Sequence, residues 1–135
     1  MIVQSYLFFE GRCEEALEFY KNAIGAEVTA LMRNSDSPDQ SDTPPGMESK
    51  VLHCNFNVGE TQLMASDGMC SGTPKFAGIS LSITAKDAAE AERLFAALSE
   101  GGQVQLPMHE TFFAERFGMA ADKFGVSWMV MAGKG

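Results

Sequence analysis

Two stretches of the chain have apolar residues at helical spacing, and a strand-like stretch precedes each of them. Residues 2–9 predict a strand, and residues 13–24 predict a helix whose apolar stripe ends at Gly25. In the second half, residues 78–83 predict a strand and residues 86–98 a helix that stops at Gly101 and Gly102. The order of strand and helix is therefore the same in both halves.

Three further strands are predicted after each helix. In the first half they are residues 27–32, 50–58 and 61–66, with a loop rich in Asp, Ser and Pro over residues 34–49. In the second half they are a short strand near Val104 and a closing hairpin, in which Asp122 to Gly125 form a tight turn and residues 126–131 a buried strand. We interpret Asp122 as structural.

The two helices also match each other at a constant offset, which indicates an internal repeat, although two amphipathic helices can resemble each other by chance. We predict an α+β fold in which two βαβββ modules form a cupped mixed sheet. The predicted boundaries within a single domain, 1–135, are module one at 1–67, a connector at 68–76 and module two at 77–135.

Alternation along the strands predicts which side chains share a face. The helix-facing set includes Leu52, Cys54, Phe56 and Val58, and also the apolar residues of 79–83. The opposite face is too polar for a dry core and too rich in methionine for an ordinary solvent face, and if the sheet curls it lines a pocket. Its predicted members are His53, Asn55, Asn57, Gln62, Met64, Ser80, Ser82, Met129 and Met131.

Composition narrows the classes of protein. A chain of 135 residues with 45% hydrophobic and 21% charged residues suits one globular domain. A net charge of −8 argues against nucleic-acid binding, and no apolar run reaches the ~18 residues of a membrane span. The beginning of the chain does not have the pattern of a secretory signal, and three widely spaced cysteines predict reduced thiols. We therefore expect a cytoplasmic protein that handles a small molecule or another protein.

The chain resembles the PhnB-like branch of the vicinal oxygen chelate superfamily, whose fold is that of glyoxalase I, bleomycin-resistance proteins and extradiol dioxygenases. The resemblance implies paired βαβββ modules, usually a homodimer, and a ligand site inside each cup. The segments that carry it are Tyr6-Leu-Phe-Phe-Glu-Gly-Arg-Cys-Glu-Glu-Ala-Leu-Glu-Phe-Tyr20, Leu63-Met-Ala-Ser-Asp67, Glu110-Thr-Phe-Phe113 and Phe117-Gly-Met-Ala-Ala-Asp-Lys-Phe-Gly-Val-Ser-Trp128.

The sequence departs from that family at the metal positions. Metal-dependent members place His or Glu at four positions that fall here near Ser5, at Met64, near Gly78 and at Met129. Because divalent cations of this class prefer imidazole and carboxylate ligands, we predict no metal at these positions. The family has also been labelled a demethylubiquinone methyltransferase, but no glycine-rich turn followed by an acidic residue predicts a nucleoside site, and we predict no cofactor.

Candidate site residues have alternative interpretations. His53 is a general base or ligand contact in the cup, or a histidine that is simply hydrogen-bonded to a neighbour such as Asn55. Glu110, inside the cup, would be suited to proton transfer next to a carbonyl; otherwise it is a solvated carboxylate at a loop edge. Asp67 is predicted to cap a turn. The predicted ligand-binding residues are Ser5, Asn55, Gln62, Met64, Ser80 and Met129.

Two main functions remain open. The first is a protein that binds a small polar molecule, with an acidic cup favouring a cation, and that lacks the glyoxalase-type metal site. The alternative is a lyase- or isomerase-type enzyme, metal-independent or with relocated metal ligands, that uses Glu110 and His53 for acid/base chemistry. A third possibility is a vestigial cup in a protein that works through its surface.

Overall fold

A computed structural model describes residues 1–134 of the chain. The chain divides into two compact units, Met1–Pro74 and Lys75–Gly135. Each unit consists of one α-helix and one four-stranded sheet, and the order of elements along the chain is β, α, β, β, β in both. The predicted pair of βαβββ modules is therefore confirmed.

The first unit contains a mixed sheet with the strand order β1-β4-β3-β2. Strand β1 is parallel to β4, and the other neighbours are antiparallel. A 3-10 turn, Asn34–Asp36, opens the predicted loop. The elements are β1 (Tyr6–Phe8), α1 (Cys13–Ile24), β2 (Glu27–Arg33), β3 (Val51–Val58) and β4 (Thr61–Ser66).

The second unit repeats this topology, with the strand order β5-β8-β7-β6 and a parallel pairing of β5 with β8. Strands β7 and β8 form the predicted closing hairpin around Asp122 to Gly125. The elements are β5 (Leu81–Ala85), α2 (Ala88–Ser99), β6 (Gln103–His109), β7 (Ala114–Ala121) and β8 (Ser127–Gly133).

Local chemistry sets the helix ends. Helix α1 ends where Gly25 takes a left-handed conformation, φ 71°, and its N–H bonds to carbonyl oxygens of the last turn. Asp87 caps the beginning of helix α2, where its carboxylate accepts the N–H of Glu90 at 2.8 Å. The Glu90 carboxylate in turn accepts the N–H of Lys86 at 3.0 Å, which completes a reciprocal cap.

Each helix covers one face of its sheet. In the first unit the Tyr20 ring of α1 stacks on Phe56 of β3, with ring centroids 6.2 Å apart. In the second, Phe95 of α2 packs against Gly118 of β7. A Cβ at that glycine would lie only 3.0 Å from the Phe95 ring, so the absence of a side chain leaves room for it. The sheet face opposite the helix is called the open face of each unit below.

Several predicted boundaries and orientations were wrong. Strand β1 begins at Tyr6 rather than residue 2, and β5 begins at Leu81 rather than residue 78, so Ile79 lies outside the strand and is 62% exposed. Leu52 does not face the helix but is 46% exposed. The cause is a β-bulge: Met32 pairs with His53 and Arg33 with Val51, so Leu52 is the extra residue and Val51 takes its place in the core.

Neither α-helix within residues 1–134 has the length and apolar character that crossing a membrane requires.

Candidate functional site

A hydrogen-bonded row of side chains lies on the open face of the first unit. The strand register sets Tyr6 beside Met64, and Met64 beside Asn55, so these residues share one face. The Tyr6 hydroxyl lies 3.0 Å from His53 Nδ1, and His53 Nε2 lies 2.8 Å from Asn55 Oδ1. The hydrogen bond from His53 to Asn55, which was one of the two alternatives for this histidine, is therefore present.

The partners of His53 assign its tautomer. An amide oxygen can only accept, so Nε2 carries the proton and donates to Asn55. Nδ1 is then an acceptor, and the Tyr6 hydroxyl donates to it. Both ring nitrogens of His53 are engaged, whereas the oxygen of Tyr6 keeps its lone pairs for another donor.

Aromatic rings continue this row towards the end of β1. The ring centroids of Phe8 and Tyr6 are 4.9 Å apart, and those of Tyr6 and His53 are 5.5 Å apart. Phe8 is 53% exposed although it is a large apolar side chain. We call the surface formed by Tyr6, Phe8, His53, Asn55 and Met64 the first open face.

A second polar row lies in the second unit. Ser80 Oγ donates to Ser127 Oγ at 2.7 Å, and Ser127 Oγ donates to Gln105 Oε1 at 3.2 Å. These side chains, together with residues 76–79, line a shallow groove of about 530 Å³. Met119, which is paired in register with Met129, forms part of its wall.

The structure does not bring the proposed acid/base pair together within one unit. His53 belongs to β3 of the first unit, whereas Glu110 follows β6 in the second. The Glu110 side chain is 67% exposed, and its carboxylate pairs with Lys134 Nζ at 3.3 Å. In this chain Glu110 is therefore placed as the solvated carboxylate at a loop edge rather than as a buried acid.

The remaining predicted ligand-binding residues lie in both units. Gln62 is exposed and pairs in register with Asn57, on the same face as Met64. Met129 is half-buried beside Ser82 in the second sheet. Ser5 precedes β1, where its carbonyl oxygen accepts the Met64 N–H at 3.1 Å, and alternation turns its side chain away from the face of Tyr6.

The four positions implied by the resemblance do not form a donor set for a metal ion. A hydroxyl at Ser5, thioethers at Met64 and Met129, and the hydrogen of Gly78 do not suit zinc, nickel or iron. Across the part of the chain that the structure describes, no three His, Cys, Asp or Glu side chains are grouped to hold a metal ion.

Two buried aspartates have structural partners. Asp67 accepts the N–H of Cys13 at 2.8 Å and that of Val51 at 2.6 Å, which ties the first turn of α1 to the start of β3. Asp122 accepts the N–H groups of the turn that follows it and the indole N–H of Trp128 at 2.9 Å. Asp122 therefore has the structural role that was predicted for it. The carboxylate of Asp67, in contrast, was predicted to cap a turn but bonds backbone 54 and 16 positions away in the chain.

Two of the three thiols lie against each other in the core. Cys13 and Cys54 are both fully buried, with their sulfurs 3.8 Å apart, and neither forms a disulfide. The hydrogen bond between them, together with burial, raises the pKa of the Cys13 thiol far above its ordinary value. Both thiols lie in the core, in agreement with the prediction that Cys54 is on the helix-facing side of its strand.

Sequence reasoning missed three residues of the two polar rows. Tyr6 is separated from His53 by 47 positions, so only the register of β1, β4 and β3 brings them together. Ser127 and Gln105 similarly meet across strands that are distant in sequence. The available signal was alternation: Tyr6 and Phe8 fall on the same side of one strand, and Ser127 on the same side as Met129.

Comparisons with known proteins agree with this fold. Over its full length the chain is similar to protein PA1353 from Pseudomonas aeruginosa, with 40% identity, a TM-score of 0.86 and coverage of 100% and 99% of the two chains. A PhnB protein from Bacillus cereus is 27% identical, with a TM-score of 0.80 and coverage of 98% and 99%. Protein YjdN from Escherichia coli is 31% identical over 96% of this chain and 94% of its own.

The fold extends to more distant proteins. The fosfomycin resistance protein FosX from Mesorhizobium loti matches 100% of this chain and 91% of its own with a TM-score of 0.65, at 11% identity. The architecture is that of the vicinal oxygen chelate superfamily, as the resemblance implied. Within it, the chain belongs to the family described as 3-demethylubiquinone-9 3-methyltransferase, whose model matches residues 2–131.

Proposed function

We propose that this PhnB-like protein binds a small polar molecule on the first open face without a glyoxalase-type metal centre. The row Tyr6–His53–Asn55 carries this proposal, because it supplies oriented hydrogen-bonding atoms on a rigid sheet. Solvent-facing strands rarely combine exposed aromatic rings with such a fixed polar chain, whereas ligand sites typically do.

The chemistry of the strand positions supports binding over metal catalysis. Met64 stands in the first open face at a position where metal-dependent relatives have His or Glu, next to Tyr6 and Asn55. A thioether is polarizable and flexible, so it adapts to the shape of an organic ligand better than it holds a hard cation. The groove beside Ser80 provides a second set of hydroxyl and amide groups.

The acid/base enzyme that uses Glu110 and His53 stays an alternative prediction. The family description names methyl transfer, but the sequence has no glycine-rich turn followed by an acidic residue to bind a nucleoside, so methyl transfer is not part of the proposal.

The homodimer and the cytoplasmic location also stay predictions. The exposed rings of Phe112 and Phe113 support a protein contact, and light scattering after gel filtration tests it.

Native mass spectrometry of protein purified without chelator tests the proposed binding. We expect an organic molecule at up to one per chain that is lost on denaturation, and less than stoichiometric zinc, nickel or iron by elemental analysis. The Tyr6→Phe variant should retain less of that molecule, since it lacks one oriented hydroxyl. A stoichiometric divalent ion that depends on Met64 and Met129 would refute the proposal.

A further inference from the structure

We propose that the first open face selects a small organic ammonium group, with Tyr6 as the residue that contacts it. This inference rests on the binding function proposed above and names the class of ligand. It follows from three observations: the direction of the hydrogen bonds, the row of exposed rings and the position of one carboxylate.

The direction of the hydrogen bonds makes Tyr6 an acceptor for the ligand. Asn55 accepts the His53 Nε2 proton, so His53 Nδ1 accepts from the Tyr6 hydroxyl. With its one proton committed, the Tyr6 oxygen can only accept a further bond. It therefore favours a group that donates N–H or O–H over a carbonyl, a carboxylate or a phosphate.

The rings next to Tyr6 favour a cation over a neutral donor. Phe8 and Tyr6 present adjacent aromatic surfaces with centroids 4.9 Å apart, and Phe8 is largely open to solvent. The face of an aromatic ring attracts an ammonium group through its quadrupole. Met64 adds a polarizable apolar contact beside Tyr6 for the carbon chain of the ligand.

A carboxylate lies at the end of this row. The Glu10 carboxylate and the Phe8 ring both lie beside Gly68. If that glycine had a Cβ, these two groups would be its nearest side-chain neighbours, and Phe8 Cδ1 would be 3.3 Å away. Glu10 has φ 53°, and its carboxylate accepts the Met69 N–H at 3.3 Å, which holds the side chain in place. The negative charge beside Phe8 and the net charge of −8 both complement a cation.

His53 and Asn55 are positioning residues in this account, since they hold the Tyr6 proton and do not meet the ligand. Their role is tested by nitrogen-15 spectra of the His53 ring. We expect a protonated Nε2 in the wild type and in Asn55→Asp, which keeps an acceptor, and a mixture of tautomers in Asn55→Ala. An unchanged tautomer in Asn55→Ala would remove Asn55 from this role.

The ligand class is tested by titrating the whole protein with n-butylammonium chloride, 1-butanol and sodium butyrate, followed by the ring signals of Tyr6 and Phe8. We expect n-butylammonium to bind about tenfold more tightly than 1-butanol, and butyrate not to bind. Glu10→Gln should weaken ammonium binding about five- to tenfold, and Tyr6→Phe about three- to tenfold, with unchanged circular dichroism.

The matched control is Glu60→Gln, which removes the same charge from the turn between β3 and β4, at the opposite end of β4 from Ser66. It should change ammonium affinity less than about twofold, because exposed charges at that distance are screened. Equal effects of Glu10→Gln and Glu60→Gln, or tighter binding of 1-butanol or butyrate, would overturn the ammonium assignment while leaving small-molecule binding intact. Failure of all three probes, together with an empty native mass spectrum, would overturn both proposals.

Discussion

The carboxylate of Asp122 should be worth several kcal/mol to the stability of the second unit. It is 3% exposed and accepts three hydrogen bonds, from the N–H groups of Phe124 and Val126 and from the indole of Trp128. Each buried donor that loses its acceptor costs about 1–3 kcal/mol, and water entering the vacated space recovers part of this. We therefore expect Asp122→Ala to lower the free energy of unfolding by about 3–5 kcal/mol.

The conservative variant Asp122→Asn separates the indole contact from the turn. Its amide oxygen can still accept the two backbone N–H groups, but its amide nitrogen then faces the Trp128 N–H, donor against donor. We expect Asp122→Asn to lower the free energy of unfolding by about 1–3 kcal/mol when Trp128 is present. In a Trp128→Phe background, where the indole donor is absent, this loss should be about 1–2 kcal/mol smaller.

Urea unfolding followed by far-ultraviolet circular dichroism measures all four proteins of this cycle. The control is Asp42→Asn in the exposed loop, which should change the free energy of unfolding by less than about 0.5 kcal/mol. Equal losses on Asp122→Asn with and without Trp128 would show that the indole contact does not contribute, and would refute this reasoning.

Three further predictions concern stability. Asp67→Ala leaves the buried N–H groups that it accepts without an acceptor and should cost about 2–5 kcal/mol in urea unfolding, whereas a catalytic role would predict a stable variant. Gly102→Ala places a Cβ against the backbone of the β7–β8 turn, 2.8 Å from one carbonyl carbon, and should lower the melting temperature, whereas Gly133→Ala, with open space, should not. Arg33 lowers the pKa of Glu14 below its ordinary value of 4.5, so the charged pair stabilises the fold above that pH, and this stabilisation is lost as the pH falls. Because the pair is exposed, Glu14→Gln should reduce the loss of stability at acid pH by less than about 1 kcal/mol.

Elements with strong local signals could be predicted from the sequence. Helix α1 spans the predicted residues, because its apolar stripe and Gly25 mark both the face and the end. The closing hairpin followed from the turn chemistry of Asp122 and Gly125. These features depend on residues that are close together in the chain.

Features that depend on pairing could not be predicted. Alternation counted from the sequence put Leu52 in the core, but a bulge opposite Met32 and Arg33 shifts the strand by one residue and exposes it. The start of β5 at Leu81 is likewise set by its partner Trp128 in β8. No local pattern marks where one strand meets another.

The candidate site shows the same division. His53 and Asn55 are two apart on one strand, so their contact could be predicted from spacing alone. Tyr6 joins them only through the parallel pairing of β1 with β4, which spacing along the chain does not reveal. The resemblance includes Glu110 and favours a place for it inside the cup, whereas the residue lies after β6 with an exposed side chain that pairs with Lys134.

The most direct test of the account is a map of where small molecules bind. Chemical shifts of the assigned protein are recorded with a panel of neutral, cationic and anionic molecules, with and without zinc. We predict that the largest shifts fall on Tyr6, Phe8, His53 and Met64 and do not require zinc. Shifts confined to the outer surface of α1 or to residues 34–49, or shifts that arise only after zinc is added, would contradict it.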